Sequence, residues 1–132
     1  MAERVDAALE MATWADQLEA RLIVLVEHHG SEDGYLPSPL TFGAAVAART
    51  RAATVRLFLN ASFCDPLRLA EDLAIVDLIG KGRIDVNLVA GYVPDEFAMF
   101  GVPMSERAAR MTEIVRTLKA AWTGESFEYR GR

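Results

Sequence analysis

The fold is decided by the stretch Leu22-Ile23-Val24-Leu25-Val26-Glu27-His28-His29-Gly30, in which an apolar run passes directly into titratable side chains. A short apolar run rich in branched residues is typical of a strand buried in a parallel sheet. The carboxyl ends of such strands carry the chemistry in parallel α/β folds, and histidine titrates near neutral pH. We therefore interpret positions 27–30 as the edge of an active site.

Strands and helices alternate along the rest of the chain. Apolar runs at 55–59 and 84–89 predict two more strands, so the strands begin about thirty residues apart, the length of a β-α-β unit. Helical periodicity predicts four helices, at 2–20, at 40–51, at 65–79 and after a capping Ser105. The tail at 125–132 is predicted as a loop or the start of another element. The pattern indicates an α/β fold, with a parallel sheet covered on both faces, in a single domain over residues 1–132.

Local signals also predict helix ends and apolar helix faces. Asp65 is expected to cap the third helix, with Pro66 in its first position and Gly80-Lys81-Gly82 at its end. The first helix has apolar residues at helical spacing, namely Val5, Leu9 and Ala12, and then Met11, Trp14 and Leu18. The last helix has another such row, Met111, Val115, Leu118 and Trp122. We expect Met111 and Trp122 to lie in the core.

Composition excludes several classes of protein. The chain is 52% hydrophobic and 25% charged with a net charge of −5, which argues against a nucleic-acid partner or an anionic membrane surface. Cys64 is the only cysteine, so an internal disulfide is impossible, and a packed thiol in a reducing compartment is expected. The apolar runs are far shorter than the ~20 residues of a membrane helix, and the first turns lack a signal peptide's apolar centre. These features predict a cytoplasmic protein without a membrane partner.

Several motifs in order resemble the bacterial luciferase-like monooxygenase family. They are Glu27-His28-His29, Gly34-Tyr35-Leu36-Pro37-Ser38-Pro39, Asp65-Pro66-Leu67-Arg68-Leu69-Ala70-Glu71-Asp72, Asp77-Leu78-Ile79-Gly80-Lys81-Gly82-Arg83, Glu96-Phe97 with Phe100-Gly101, and Trp122-Thr123-Gly124. The resemblance runs nearly end to end. It implies a (β/α)8 TIM barrel and an oxidoreductase that uses reduced FMN, or the deazaflavin F420 in some branches, on a small organic substrate.

The resemblance implies a partial barrel. A complete barrel takes ~250 residues, and this chain is similar to strands two to four with their helices; the family's first strand would precede them and its fifth to eighth would follow. Unpaired strand edges favour association, so we expect a homo-oligomer or a complementing chain. Barrel phosphate sites are usually built after strands seven and eight. The alternative function is therefore a non-catalytic half-barrel fragment or interaction subunit that has lost cofactor binding.

Around the first strand the resemblance implies a role for His28, which matches the family's catalytic-base position. Adjacent strand residues point to opposite faces, so His29 cannot share the direction of His28 if the strand continues, and Glu27 and His29 are expected to have a supporting role. A Glu-His-His metal site is the rival interpretation, but the same alternation opposes two adjacent histidines on one ion. We expect acid–base work from His28 and no metal.

Cofactor-binding residues are implied after the next two strands. Asn60 and Ala61, with Ser62, lie in the segment that rests against the isoalloxazine ring in the family, although 59–64 is shorter than the common pattern. Gly91 and Tyr92 follow the third strand, where a small residue lets a ring or phosphate approach the backbone. Ala90 stands where luciferase-type members commonly have a basic residue, which leaves F420 open beside FMN.

Other charged positions are interpreted as structural. Gly80-Lys81-Gly82-Arg83 lacks the spacing of a phosphate loop, and Asp77 is expected to pair with Arg83. Arg68 and Asp72, four residues apart on a helix, predict a solvated ion pair. Glu96 either caps a helix or positions the loop after the third strand.

Overall fold

A computed structural model of the chain describes residues 2–129. The elements in chain order are α1 Ala2–Gln17, β1 Leu22–Leu25, α2 Pro39–Arg49, β2 Thr54–Asn60, α3 Pro66–Gly80, β3 Ile84–Val89, α4 Pro94–Met99 and α5 Arg107–Ala121. Short 3₁₀ turns lie at Ala61–Phe63 and Met104–Glu106. The alternation confirms the predicted α/β class. Positions 130–132 of the predicted tail lie outside the described residues.

The strands form a parallel sheet in the order β1-β2-β3. Leu22 of β1 is in register with Thr54 of β2, and Leu25 with Leu57. β3 joins the other side of β2, where the Val55 N–H donates to the Arg83 carbonyl at 2.9 Å. Consecutive strands are thus neighbours with a helix in each connection, as repeated β-α-β units require.

The chain comprises two compact units. The first comprises 2–59 and 75–87 of the described residues, and the second comprises 60–74 and 88–129. In the first unit α1 packs on α2, and the most deeply buried side chains belong to α2 and β2, among them Val46, Val55 and Leu57. Gly43 allows this packing, because a Cβ added there would lie 2.6 Å from Leu57 Cδ2.

The first unit is tied together by two charged side chains that bind backbone groups. The Asp16 carboxylate accepts hydrogen bonds from the amides of Arg51, Ala52 and Ala53 at 2.7, 3.0 and 2.7 Å. These bonds hold the pKa of Asp16 below its ordinary value, with the Ala53 amide the largest cause and the Arg51 amide the second. The turn between α2 and β2 is therefore fixed by a carboxylate from α1.

Arg83 does not pair with Asp77, so that prediction is wrong. Its guanidinium donates instead to the carbonyls of Ala47, Thr50 and Ala53 at 2.8–3.1 Å, around the carboxyl end of α2. Terminal carbonyls of a helix lack partners within the helix and carry partial negative charge, so a cation is favourable there. Asp77 accepts from the Ile84 amide at 3.3 Å.

The second unit is built on aromatic and aliphatic contacts. The Phe63 ring is stacked on Phe100, with centroids 4.3 Å apart, and meets the edge of Phe97 at 5.0 Å. Phe97 and Ile114 are almost fully buried. Asp65 caps α3 as predicted, because its Oδ1 accepts the Arg68 amide at 2.9 Å.

Several predictions about burial are wrong for the described residues. β1 is not wholly buried, since Leu22 and Val24 are 40% and 46% exposed. The second face of the sheet is not covered, because it carries the half-exposed ion pair of Arg56 and Asp85. On α1 only Leu9 and Ala12 are buried. The other apolar residues at helical spacing are exposed, namely Val5, Met11 and Trp14 on α1 and Leu18 just after it.

The last helix also departs from its prediction. α5 begins after the 3₁₀ turn, Glu106 occupies its N-cap position, and the predicted cap Ser105 lies inside the turn. Trp122 is 52% exposed and donates its indole N–H to the Ala70 carbonyl at 3.3 Å, so it is not a core residue. Met111 is only partly buried. The predicted Arg68–Asp72 ion pair is confirmed at 2.9 Å.

In residues 2–129 we find no helix that combines the length and apolar character needed to cross a membrane.

Candidate functional site

The carboxyl end of β1 presents the His28 imidazole in a defined setting. Its ring meets the ring of Tyr35 edge to face, with centroids 5.2 Å apart and an interplanar angle of 77°. The His28 amide donates to the Leu36 carbonyl at 3.2 Å, which fixes the backbone beneath the imidazole. The side chain is only partly buried. An ordered, accessible imidazole of this kind can exchange protons with a bound molecule.

Glu27 and His29 form a pair with each other. The His29 Nε2 atom lies 2.7 Å from Glu27 Oε1, and the two side chains are only 12% and 9% exposed. Glu27 and His29 therefore contact each other, while His28 contacts Tyr35. β1 ends at Leu25, so Glu27, His28 and His29 follow the strand and do not continue it. A neighbouring carboxylate fixes the orientation of an imidazole through a hydrogen bond.

The loop after His29 is organised by Asp33. Its carboxylate accepts the Tyr35 amide at 3.0 Å and the Ser31 hydroxyl, and its carbonyl accepts from Arg4 Nη1 at 2.9 Å. The Ser31 hydroxyl is the largest cause of the lowered pKa of Asp33, followed by the Tyr35 amide. Aspartate commonly stabilises turns by bonding the backbone two residues ahead. Here that bond fixes the backbone of Tyr35, the residue whose ring contacts His28.

In the second unit, the predicted cofactor-binding residues after β2 are buried. Asn60 is 4% exposed, and Ala61 and Ser62 are fully buried. Asn60 Oδ1 accepts the Ser62 amide at 3.3 Å, and the Ser62 hydroxyl donates to the Ala90 carbonyl at 2.7 Å. Ser62 was given no separate role from the sequence, yet its hydroxyl joins the segments that follow β2 and β3. The available signal was a serine two residues after the end of a strand.

Gly91 adopts a left-handed backbone with φ of 82°. A Cβ there would lie 2.7 Å from Asn60 Nδ2 and 2.9 Å from Phe97 Cε2. The close approach that the sequence suggested at this glycine is thus made by protein side chains. The next residue, Tyr92, is 73% exposed and displays its ring on the surface.

The helix α4 was missed by the sequence reasoning, although its ingredients were visible. Pro94 occupies the first turn with Asp95 and Glu96, all of which favour a helix N-terminus. Glu96 is 5% exposed and Phe97 is 2% exposed. At only six residues the helix is too short for apolar periodicity to appear.

Cys64 is partly buried and borders a small cavity. Its Sγ lies 3.6 Å from the Asn60 carbonyl oxygen. The cavity measures about 180 Å³ and is lined in part by Cys64, Arg110, Glu113 and Tyr129. Burial, followed by the charge of Glu113, raises the pKa of Tyr129. For residues 2–129, no group of three or more His, Cys, Asp and Glu side chains is arranged to hold a metal ion.

Comparison with known proteins gives consistent results. A sequence profile described as luciferase-like monooxygenase matches residues 1–132. The uncharacterized protein y4wF of Sinorhizobium fredii is 33% identical, with 99% of this chain and 39% of that protein aligned. The FMNH2-dependent dimethylsulfone monooxygenase of Pseudomonas putida is 30% identical over 92% of this chain and 38% of its own length.

A solved structure agrees with these relatives. The monooxygenase RslO1 of Streptomyces bottropensis superposes with a TM-score of 0.89 at 37% identity, covering 97% of this chain and 40% of that one. The chain thus spans about two fifths of the length of the proteins it matches. The predicted fold class, part of a (β/α)8 barrel, is confirmed.

Proposed function

Because the chain belongs to the luciferase-like monooxygenase family, we propose that it acts in a flavin-dependent monooxygenase reaction on a small organic substrate. The observation that carries this proposal is His28, a partly exposed imidazole at the end of β1 whose ring contacts Tyr35. We propose that a ring nitrogen of His28 holds and transfers a proton during the reaction. Glu27 and His29 support this segment through their own pair.

Reduced FMN is the proposed cofactor. The relative from Pseudomonas putida is named as FMNH2-dependent, which favours FMN over the alternative F420. When bound, the flavin supplies the electron and oxygen chemistry, and the protein supplies binding and orientation. The residues present fit FMN only in part. Tyr92 offers an exposed aromatic face suited to a flavin ring, whereas the Ala90 position offers no cation to a phosphate.

The other residues proposed to bind the cofactor act by holding the backbone in position. Asn60 and Ala61 are buried, so their contribution is to hold the backbone at the end of β2. Gly91 keeps the following backbone in a left-handed turn from which Tyr92 projects. We propose that residues 1–132 form one partial barrel domain working in the cytoplasm, with a homo-oligomer or a complementing chain as partner.

The test is an anaerobic calorimetric titration of the full chain with reduced FMN and, separately, reduced F420. We expect saturable binding of FMN. Tyr92→Ala should weaken it about tenfold through the lost aromatic contact, whereas the matched control Trp14→Ala, another exposed aromatic residue, should leave it unchanged. His28→Ala should retain binding but change the pH dependence of flavin reoxidation by oxygen.

Each other outcome has a definite meaning. Binding of F420 alone would mean that the cofactor is F420 instead of FMN, and the proposed class of enzyme would remain an oxidoreductase. A folded chain that binds neither would favour the non-catalytic interaction subunit, in line with Ala90. An unchanged pH profile in His28→Ala would remove His28 from the chemistry.

A further inference from the structure

The contact between the rings of Tyr35 and His28 limits how the imidazole can turn. The ring centroids lie 5.2 Å apart at an interplanar angle of 77°. The second side-chain torsion of histidine is broad, so an imidazole without a surface beside it samples many orientations. An edge-to-face pair of rings favours the contacting arrangement by about two- to tenfold. The Tyr35 ring therefore restricts the plane in which the two ring nitrogens of His28 lie.

The backbone of Tyr35 is fixed on both sides. Its amide donates to Asp33 Oδ1 at 3.0 Å, and the carbonyl of the next residue, Leu36, accepts from the His28 amide at 3.2 Å. Bonds at these two positions limit both backbone dihedrals of Tyr35, and the backbone dihedrals limit the rotamers that a side chain adopts. The direction of the Tyr35 ring is thus set by backbone hydrogen bonds as well as by the ring contact.

Asp33 is itself held by two neighbouring residues. Its carboxylate accepts the Ser31 hydroxyl in addition to the Tyr35 amide, and its carbonyl accepts from Arg4 Nη1 of α1 at 2.9 Å. The Ser31 hydroxyl, and after it the Tyr35 amide, holds the pKa of Asp33 below its ordinary value. The group is therefore a carboxylate at neutral pH, and a carboxylate is a stronger acceptor for the Tyr35 amide than a neutral oxygen.

We propose that Asp33 and Tyr35 are positioning residues for His28: Asp33 fixes the backbone of Tyr35, and the Tyr35 ring fixes the plane of the imidazole. This role rests on the proposed function, in which a ring nitrogen of His28 holds and transfers a proton. Proton transfer requires the two heavy atoms to lie about 2.6–3.2 Å apart, so a rotated imidazole loses contact with the atom it serves. A fixed ring plane presents the same nitrogen to each bound molecule.

The first test follows the imidazole by NMR in the chain without cofactor, because all of these contacts lie within the first compact unit. The chain has two histidines, and His28→Gln assigns the ring resonances of each. Tyr35→Leu should shift the His28 ring resonances and abolish the cross-relaxation between the two rings, because it removes the aromatic neighbour. Tyr35→Phe keeps the ring and should keep both signals.

The second set of variants tests the role of Asp33. Asp33→Ala leaves the Tyr35 ring in the chain but removes the acceptor of its amide, so we expect weaker cross-relaxation between the rings. Asp33→Asn keeps an oxygen acceptor and should restore most of it. The matched control Glu32→Ala removes an adjacent, exposed carboxylate of the same loop and should change nothing. The His29 resonances should stay constant throughout, whereas a general disturbance of the segment would move them too.

A third readout connects the ring contact with the chemistry. With reduced FMN bound, Tyr35→Leu should lower the rate of flavin reoxidation by about two- to tenfold, the preference that the ring contact supplies. Flavin affinity should not change. Absence of flavin binding by the parent chain would contradict the proposed function, while the NMR variants would still decide whether Asp33 and Tyr35 position the imidazole.

Four results would overturn the proposed positioning role. They are unchanged His28 resonances in Tyr35→Leu, equal effects of Tyr35→Phe and Tyr35→Leu, equal effects of Glu32→Ala and Asp33→Ala, and an unchanged reoxidation rate in flavin-loaded Tyr35→Leu. The second result would assign the role to the hydroxyl instead of the ring. The last would mean that the ring contact serves packing alone.

Discussion

Gly91 allows a sharp test of the packing after β3. The perturbation is Gly91→Ala, which adds one methyl group at a residue with φ of 82°. An alanine in the left-handed region costs roughly 1–2 kcal/mol. The added Cβ also falls 2.7 Å from Asn60 Nδ2 and 2.9 Å from Phe97 Cε2, both well inside contact distance. Overpacking of this kind costs ~1–3 kcal/mol, so we expect a total loss of about 2–5 kcal/mol.

Gly101→Ala is the matched control. Its φ of 64° imposes a similar backbone cost, but nothing lies within 4 Å of the added Cβ. We therefore expect a loss of only about 1–2 kcal/mol. The difference between the two variants isolates the close approach of Asn60 and Phe97 to Gly91.

Urea unfolding followed by tryptophan fluorescence measures both losses. A Trp14→Phe background leaves Trp122 as the single reporter, and Trp122 belongs to the same unit as Gly91. Equal losses for Gly91→Ala and Gly101→Ala would refute the argument, because they would mean that the side chains around Gly91 move aside at no cost.

Two further predictions concern the charged side chains of the first unit. Asp16→Asn should lose about 1–2 kcal/mol at neutral pH, because three amides exchange a charged acceptor for a neutral one. The folded-state pKa of Asp16 lies below its ordinary value of 3.8, so this stabilisation is present above that value and is lost as the pH falls through the folded pKa. Urea unfolding at neutral and acid pH should therefore show the gap to the parent protein closing in acid; a constant gap would contradict the assigned cause. Arg83→Lys should lose about 1–3 kcal/mol in thermal unfolding, since an ammonium cannot reach the carbonyls that the guanidinium fork reaches. Arg56→Lys, at a half-exposed ion pair, should change stability by less than about 0.5 kcal/mol, and equal effects would rule out the special role of Arg83.

Local signals predicted the elements well. The third strand occupies 84–89 as expected, and α3 begins at Pro66 after its Asp65 cap. Both follow from short-range chemistry, because β-branched runs favour strands while proline and a capping carboxylate define a helix start.

The errors concern long-range burial. Apolar periodicity identifies a helix face but not whether another element covers it, which is why Trp122 was predicted to lie in the core and is 52% exposed. A run such as 22–26 is equally compatible with a central and an edge strand. Long-range polar contacts are equally hard to predict from the sequence. The carbonyls that bind Arg83 lie 30–36 residues away, at and just after the end of α2. No local pattern could have indicated them.

The backbone bond between His28 and Leu36 separates the position of the imidazole from the length of the segment that follows it. The two ends of the segment 29–35 are held close together by this bond, as in a surface Ω-loop. Doubling the length of such a segment costs only ~0.6 kcal/mol in closure entropy. Insertions beyond Gly30 can therefore reshape what surrounds the imidazole while the His28 backbone stays in place. In evolution or in engineering, the length of this segment can change while the backbone of His28 keeps its position.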